Sequence, residues 1–177
     1  MYPARQKFLV LGLSRSGIAA AEFLLERKAK VYVYDDLPDE KTDDASARLE
    51  GLGAERLAKE DLSKMHESCD ALVLSPGIPV DHPVAVAFKR SGKAVVGETE
   101  LAARYMRCPV VAVTGTNGKT TTVSMIEKIL TEGGLKAHAC GNIGAPMIGF
   151  VSLSETEIAV AEISSFQLET LGSLCPH

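Results

Sequence analysis

A glycine-rich segment with one lysine and several hydroxyls carries the clearest chemical signal in the sequence. It occupies residues 114–122, reads Thr-Gly-Thr-Asn-Gly-Lys-Thr-Thr-Thr, and lies between an apolar run and a helical pattern. Glycines let backbone N–H groups turn toward phosphate oxygens, and the amino terminus of the following helix adds a partial positive charge. A lysine reaches the outer phosphates, and a hydroxyl directly after it binds magnesium. The segment therefore predicts a nucleotide-phosphate site formed by Gly115, Thr116, Asn117, Gly118, Lys119, Thr120 and Thr121.

This segment departs from the common Walker form. Two residues separate Gly115 from Gly118, where the Walker form has four, and Val113 stands in place of the first Walker glycine. A glycine-rich turn with a chance lysine is the alternative interpretation. The strand before the segment and the helix after it favour the phosphate site.

Polar residues also follow the apolar runs of this half of the chain. Glu162 comes directly after the run at 158–161, at the end of a strand where a parallel sheet presents ligand groups. A carboxylate there can hold magnesium, which prefers oxygen, although a surface glutamate is the alternative. Asn142 lies in a turn after a strand, where it either hydrogen-bonds a ligand or is an ordinary turn residue. Ser164 has the position of a helix N-cap.

A second glycine-containing turn lies near the amino terminus. Gly12 and Gly17 fit the first and third glycines of the dinucleotide pattern G-x-G-x-x-G, and Ser14 replaces the middle one. Asp35 ends the next predicted strand, where an NAD enzyme binds ribose. Taken alone, this half of the chain allows an NAD-dependent oxidoreductase.

These motifs sit in an alternation of short apolar strands and helical patterns, which predicts an α/β fold with parallel sheets covered by helices and a Rossmann-like front domain. The predicted strands lie at 8–11, 31–34, 71–74, 94–96, 110–113, 137–139 and 158–161. Helices are predicted at 18–28, 45–52, 83–90 and 164–174, and a further one runs from about 123 to Gly133-Gly134. Arg27-Lys28 form the last turn of the first predicted helix. Val123, Ile126, Ile129 and Leu130 form one side of the helix that ends at Gly133-Gly134. The segment 12–17 is predicted as a turn.

We expect two domains, at residues 1–108 and 109–177. The second has three predicted strands, which is small for a core that carries a catalytic loop. We therefore expect the chain to belong to a longer protein.

Composition excludes several classes of function. The net charge is −4 and only 5% of residues are aromatic, so no basic or stacking surface for nucleic acid is expected. The acidic run at 35–44 is predicted to be a solvated loop. No stretch approaches the length of a membrane span. Four cysteines without a CxxC pair fit a reducing cytoplasm; they are Cys69, Cys108, Cys140 and Cys175.

Four segments together resemble the D-glutamate-adding branch of the Mur ligase family. They are Gly-Thr-Asn-Gly-Lys-Thr-Thr at 115–121, Ser-Pro-Gly-Ile at 75–78, Gly-Asn-Ile-Gly at 141–144 and Glu-Ile-Ser-Ser-Phe-Gln-Leu-Glu at 162–169. They occur in the family's order and at compatible spacings, and with the first strand and turn they cover essentially the whole chain.

The resemblance implies ATP-driven, Mg²⁺-dependent addition of D-glutamate to UDP-N-acetylmuramoyl-L-alanine through an acyl phosphate, in cytoplasmic peptidoglycan precursor synthesis. It implies that Lys119 contacts the β- and γ-phosphates, that Thr120 and Glu162 hold magnesium, and that Asn142 is catalytic and contacts substrate. It places Ser164 near the muramoyl-alanine moiety. The implied UDP contacts are Ser14, Arg15 and Ser16 at the diphosphate, Asp35 and Asp36 at the uridine, and Ser75, Pro76 and Gly77 closing the pocket.

The chain departs from the family at one point of this substrate site. The family often has Thr and Arg after the first aspartate, where this sequence has Asp36 and Leu37, so the uracil contacts are not carried over.

Three alternatives remain open. They are another ligase of the superfamily (L-alanine-adding, or folylpolyglutamate synthase), an NAD-dependent oxidoreductase, and a non-catalytic module that binds a nucleotide sugar. The resemblance places the family's second metal ligands, adenine site and D-glutamate site beyond residue 177. We therefore expect these 177 residues alone to lack ligase activity.

Overall fold

The computed structural model describes residues 4–174, and the chain divides into two compact units between Glu98 and Thr99. Each unit contains its own parallel sheet, which confirms the predicted fold class. The functional domains at 1–108 and 109–177 stay a prediction. Cys175 lies outside the described residues, whereas Cys69, Cys108 and Cys140 are buried. Within the described residues, no helix has the length and apolar character needed to cross a bilayer.

The first unit is built on a five-stranded sheet with the order β3-β2-β1-β4-β5. The strands are β1 (Lys7–Leu11), β2 (Lys30–Tyr34), β3 (Glu55–Arg56), β4 (Ala71–Leu74) and β5 (Ala94–Gly97). β1 is central, and its residues 9–11 are fully buried, as expected for a strand covered on both faces. The chain leaves β1 toward β2 on one side and returns to β4 on the other. Such a reversal opens a crevice at the carboxyl ends of the strands, where α/β sheets bind ligands.

Helices cover this sheet, and two of them begin earlier than predicted. They are α1 (Arg15–Glu26), α2 (Glu40–Gly51), α3 (Met65–Ser68) and α4 (Pro83–Arg90), with a 3₁₀ turn at Lys59–Lys64. α1 already begins at Arg15 because Ser14 has the extended backbone of an N-cap, so the predicted turn at 12–17 is shorter. Arg27 and Lys28 follow α1 and do not form its last turn.

A capping box explains the early start of α2. The Asp39 carboxylate accepts from the Thr42 N–H at 2.8 Å, and the Thr42 hydroxyl receives the Asp39 N–H at 2.7 Å. Such reciprocal bonds satisfy the free N–H groups of the first turn. Half of the acidic run predicted as a loop is therefore helical.

The second unit contains a three-stranded parallel sheet with the order β6-β8-β7. Its elements are α5 (Glu98–Ala103), which begins at the unit boundary, β6 (Val110–Val113), α6 (Lys119–Glu132), β7 (Lys136–Gly141), a 3₁₀ turn at Met147–Phe150, β8 (Glu157–Glu162) and α7 (Ser165–Leu168). α5 was not predicted. The predicted apolar face of α6 is partly wrong, because Val123 is buried but Ile129 is 64% exposed.

The helix predicted at 164–174 is also wrong, since α7 ends after one turn at Leu168. The backbone N–H groups of Gly172 and Ser173 donate to the carboxylate of Glu100 and not to helical carbonyls. The end of this segment is therefore held by a long-range acceptor and is not part of a helix.

A side chain of α6 also covers part of one edge of the sheet. β7 is an edge strand in the described residues, and its Ala139 N–H donates to Oε1 of Glu127 on α6 at 2.7 Å.

Candidate functional site

The predicted phosphate loop turns sharply between β6 and α6. Gly115 has φ +143° and Gly118 has φ +76°, values in the left-handed region that favours glycine. Gly118 is the N-cap of α6, and residues 114–118 are all exposed. The first N–H groups of any α-helix have no partner within the helix. The loop therefore presents backbone donors and the positive end of a 14-residue helix to solvent.

The lysine of the loop lies over this turn. Lys119 Nζ donates to the carbonyl oxygen of Gly115 at 2.8 Å and to that of Thr116 at 3.4 Å. Its positive charge is thus held at the mouth of the loop.

Glu162 is the centre of a polar cluster at the carboxyl ends of all three strands. It is the last residue of β8, directly opposite Val113 of β6 and Gly141 of β7, and it is only 3% exposed. Its Oε2 accepts from Thr120 Oγ1 at 2.7 Å, and its Oε1 accepts from Asn142 Nδ2 at 2.8 Å. The fold therefore brings Thr120, Asn142 and Glu162 into one cluster beside Lys119.

Gly141 makes the approach of Asn142 possible. Its φ is +95°, and a Cβ atom there would lie 2.4 Å from the carbonyl oxygen of Glu162. The Asn142 N–H donates to that same oxygen at 2.9 Å. A side chain at 141 would push the two strand ends apart.

The surroundings of Glu162 keep it charged. Burial raises the pKa of its carboxyl group, but the hydrogen bonds from Asn142 and Thr120 and the charge of Lys119 lower it, and the net pKa lies below the ordinary 4.5. A charged carboxylate is the form that binds a hard cation.

The Thr120–Glu162 pair fits a magnesium ion. Both groups are oxygen donors, and two neighbouring ligands of an octahedral Mg²⁺ with bonds of about 2.1 Å lie about 3 Å apart. The observed 2.7 Å is close to that separation. No group of three His, Cys, Asp or Glu side chains suited to a metal exists in residues 4–174. Mg²⁺ commonly takes several of its ligands from water and phosphate oxygens.

Ser164 begins the next segment as the N-cap of α7. Its Oγ accepts from the Gln167 N–H at 3.3 Å, and its own N–H donates to Oε1 of Gln167 at 2.9 Å. Gln167 is buried, and its Nε2 donates to the Thr99 hydroxyl at 2.8 Å. The sequence analysis missed Thr99 and Gln167, although Gln167 lies in a segment that carried the family resemblance.

The glycine turn of the first unit has the close packing expected of a dinucleotide-type turn. A Cβ atom on Gly17 would lie 2.0 Å from the carbonyl oxygen of Gly12, and one on Gly12 would lie 2.7 Å from Cβ of Ser75. The hydroxyls of Ser14 and Ser75 are hydrogen-bonded at 2.5 Å. The amino terminus of α1 and the turn after β4 therefore meet beside β1.

Asp35 supports this turn through both of its carboxylate oxygens. Oδ2 accepts from the Leu13 N–H at 2.6 Å, and Oδ1 accepts from the Leu37 N–H at 2.9 Å. Asp35, which is predicted to contact a nucleoside, therefore holds the backbone of two separate segments, the turn after β1 and the segment after β2.

Asp36 is linked to a histidine that the sequence analysis did not single out. His82 Nε2 lies 3.0 Å from Oδ2 of Asp36, and Nδ1 accepts from the Val84 N–H at 3.2 Å as the N-cap of α4. An accepting Nδ1 places the ring proton on Nε2, where it points to Asp36. The sequence offered one signal for His82, because it lies directly before Pro83, the first residue of a predicted helix, and so has the N-cap position.

The other predicted contacts lie near these groups within their own units. Arg15 and Ser16 form the first turn of α1, Pro76 and Gly77 follow Ser75 after β4, and Thr121 lies in the first turn of α6.

Comparison with known families assigns both units. The family described as "Mur ligase MurD-like, N-terminal domain" matches residues 6–97, more than half of the chain, and "Mur ligase middle domain" matches residues 113–176. The chain belongs to the Mur ligase family. The phosphate loop, Asn142 and Glu162 all fall within the middle-domain match of this Mur ligase chain.

Individual relatives agree with this assignment. The chain is 42% identical over 174 residues to a UDP-N-acetylmuramoylalanine–D-glutamate ligase of Geobacter metallireducens, and 40% identical over 173 residues to one of Desulfosudis oleivorans. Each match covers 97% of this chain and 38% of the relative, so the Mur ligase chain spans well under half the length of these proteins.

Solved structures support the fold. A pseudomurein peptide ligase type C from Methanothermus fervidus matches with a TM-score of 0.50 and 28% identity, over 91% of this chain and 33% of that one. A UDP-N-acetylmuramate:L-alanyl-gamma-D-glutamyl-meso-diaminopimelate ligase from Neisseria meningitides matches with a TM-score of 0.54 and 22% identity, over 90% of this chain and 52% of that one. At that identity, the second match supports the fold alone.

Proposed function

We propose that this chain supplies the UDP-substrate site and the start of the ATP site of a cytoplasmic ligase for peptidoglycan precursors. The ligase joins D-glutamate to UDP-N-acetylmuramoyl-L-alanine and releases ADP and phosphate. The observation that carries the proposal is the cluster of Thr120, Asn142 and Glu162 beside Lys119, because it unites a phosphate loop with a charged magnesium ligand.

The chemistry proposed for the second unit is phosphoryl transfer to a carboxylate, followed by attack of an amine. The substrate carboxylate attacks the γ-phosphorus of ATP, ADP leaves, and the D-glutamate amine displaces phosphate to form an amide. Lys119 and the loop amides bind the nucleotide phosphates and offset the charge of the transferred group. Asn142 donates to the carboxylate or acyl-phosphate oxygens. Thr120 and Glu162 would hold Mg²⁺, which would supply further charge neutralisation.

The proposed role of the first unit is to hold the UDP part of the substrate. The amino terminus of α1, with Ser14, Arg15 and Ser16, faces the diphosphate, as helix amino termini do in other anion sites. Asp35 and Asp36 lie by the uridine, and the turn at Ser75, Pro76 and Gly77 closes the site. In the second unit, Ser164 contacts the muramoyl-alanine moiety.

A hybrid enzyme tests the activity. Residues 1–177 replace the matching segment of the Geobacter metallireducens relative, and ADP release is measured with UDP-N-acetylmuramoyl-L-alanine and each candidate amino acid. We expect release that depends on D-glutamate and is lost in a Lys119→Ala hybrid. The D-glutamate site of the hybrid comes from the relative, so the result that tests this chain is release with UDP-N-acetylmuramoyl-L-alanine as the nucleotide substrate. Release with UDP-N-acetylmuramate in its place would favour the L-alanine-adding alternative for this substrate site, and a folded hybrid without release would overturn the proposal.

Calorimetry on the 177-residue chain tests the substrate site independently. We expect it to bind UDP-N-acetylmuramoyl-L-alanine and not NAD. Binding of NAD alone would favour the oxidoreductase alternative.

A further inference from the structure

A buried carboxylate outside the site described above binds a distant part of the second unit. Glu100 lies on α5 and is 2% exposed. Its Oε2 accepts from the N–H groups of Gly172 and Ser173, both at 2.8 Å, and its Oε1 accepts from Ser173 Oγ and Arg104 Nε, also at 2.8 Å. Both oxygens are therefore fully engaged.

A buried carboxylate whose two oxygens are both hydrogen-bonded holds its partners in one geometry, so Glu100 acts as an anchor for the segment bonded to it. Burial raises the pKa of Glu100, but its backbone and side-chain donors lower it, and the net pKa lies below 4.5, so the group is charged. Hydrogen bonds to a charged acceptor are stronger than neutral ones, and leaving a buried charge without them is costly. The path of residues 172–173 is thus fixed by a residue more than seventy positions earlier.

The neighbouring residue of α5 holds the other end of the same segment. The Thr99 hydroxyl accepts a hydrogen bond from Gln167 Nε2. Gln167 in turn forms both hydrogen bonds of the capping box with Ser164. Residues 164–173 are therefore fastened to α5 at two points, while Phe166 and Leu168 between them remain 58% and 44% exposed.

We propose that Glu100, assisted by Thr99, is a positioning residue that fixes the segment 164–173 so that Ser164 is presented to the substrate. This inference rests on the proposed contact between Ser164 and the muramoyl-alanine moiety. Glu100 itself contacts no reacting group. Ser164 is held locally by its capping box with Gln167 and by its position two residues after β8. The two anchors to α5 fix the rest of the segment, including Gln167, which forms that capping box.

The test combines a local and a functional measurement on the same variants. Glu100→Ala removes the anchor, Glu100→Gln keeps its size, and Thr99→Val removes the hydroxyl without changing the shape. Glu132→Gln, an exposed glutamate on α6, is the matched control. Amide hydrogen exchange of the 177-residue chain is followed by NMR at residues 164, 167, 172 and 173, and KM and kcat are measured in the hybrid ligase.

We expect exchange at Gly172 and Ser173 to accelerate about tenfold or more in Glu100→Ala, because the bonds lost are to a charged acceptor, while β8 is unchanged. Glu100→Gln should lie between wild type and Glu100→Ala, Thr99→Val should accelerate exchange at Gln167, and Glu132→Gln should resemble wild type. In the hybrid, KM for UDP-N-acetylmuramoyl-L-alanine should rise about tenfold with kcat changed less than twofold, since uniform binding is lost.

Unchanged amide exchange in Glu100→Ala would show that Glu100 does not anchor residues 172–173. Faster exchange with an unchanged KM would show that this anchor does not position Ser164 for substrate binding. An unmodified hybrid that releases no ADP would count against the proposed function, and the exchange measurements would still decide whether the anchor exists.

Discussion

The hydroxyl of Thr120 and the carboxylate of Glu162 are hydrogen-bonded at 2.7 Å although 42 positions separate them in the chain. The contact joins the first turn of α6 to the end of the central strand of its sheet. It places a neutral and a charged oxygen side by side at the mouth of the phosphate loop, and this arrangement leads to the first prediction.

Glu162→Gln should weaken binding of Mg²⁺–ATP at least about tenfold while preserving the fold. The amide keeps the size of the carboxylate, and its one oxygen can still accept from Thr120 or from Asn142, but it carries no charge for a hard cation. Calorimetry with Mg²⁺–ATP and with ATP plus a chelator measures the effect. Equal affinities of wild type and variant for Mg²⁺–ATP would remove Glu162 from the metal site.

Lys119→Ala should reduce affinity for ATP by about one to two orders of magnitude, because a mobile charge for the outer phosphates is lost. Lys128→Ala is the matched control, since Lys128 lies on the same helix and is 74% exposed. Stability should change by less than about 0.5 kcal/mol in Lys128→Ala, as for most exposed positions. A loss of affinity of similar size in the control would point to general electrostatics and not to the loop.

The strand ends show what the sequence could and could not reveal. The strand at 110–113 and the helix at 83–90 were predicted with their observed bounds, because each is a continuous apolar or amphipathic pattern with clear flanking signals. Glu162 was recognisable as a strand-end residue. Its bonds to Thr120 and Asn142 depend on the register of three strands, which no local pattern encodes.

The errors have the same origin. The segment 164–174 has a helical pattern, but its helix ends at Leu168, and the N–H groups of Gly172 and Ser173 donate to Glu100. Likewise, the link between Asp36 and His82 joins residues 46 positions apart by sequence number. Helix propensity depends on residues that are close in sequence, whereas these contacts join residues that only the tertiary fold brings together.

Gly17→Ala should destabilise the first unit by about 1–3 kcal/mol or more, because the added methyl would overlap the carbonyl oxygen of Gly12 in a packed region. Gly51→Ala is the matched control, since a Cβ atom there meets nothing within 4 Å at the end of α2. It should stabilise by up to about 1 kcal/mol through the helix preference of alanine. Urea unfolding followed by far-UV circular dichroism compares the two, and equal stability would contradict the close approach of α1 to the turn.

The loop before β8 should make stability depend on pH in strongly acidic solution. Hydrogen bonds from the N–H and hydroxyl of Ser154 and from His138 lower the pKa of Glu157 to about 2. A lowered pKa contributes stability above pH 4.5, and this contribution is lost as the pH falls toward 2. NMR titration of the Glu157 carboxyl carbon in wild type and Ser154→Ala measures it.

We expect the Ser154→Ala pKa to move back toward 4.5, because one donor to the carboxylate is removed. Ser152→Ala, at an exposed serine two residues earlier, should leave the Glu157 pKa unchanged. A wild-type pKa near 4.5 would show that the Ser154 bonds do not persist in solution.

The bond from Ala139 to Glu127 has a consequence for self-association. The outer rim of an exposed strand carries free N–H groups onto which a strand from another molecule can be added, the first step of many aggregates. A side chain from α6 already satisfies one of these groups in β7. In the part of the sheet that residues 4–174 form, Glu127 therefore makes this N–H group unavailable to a strand from another molecule.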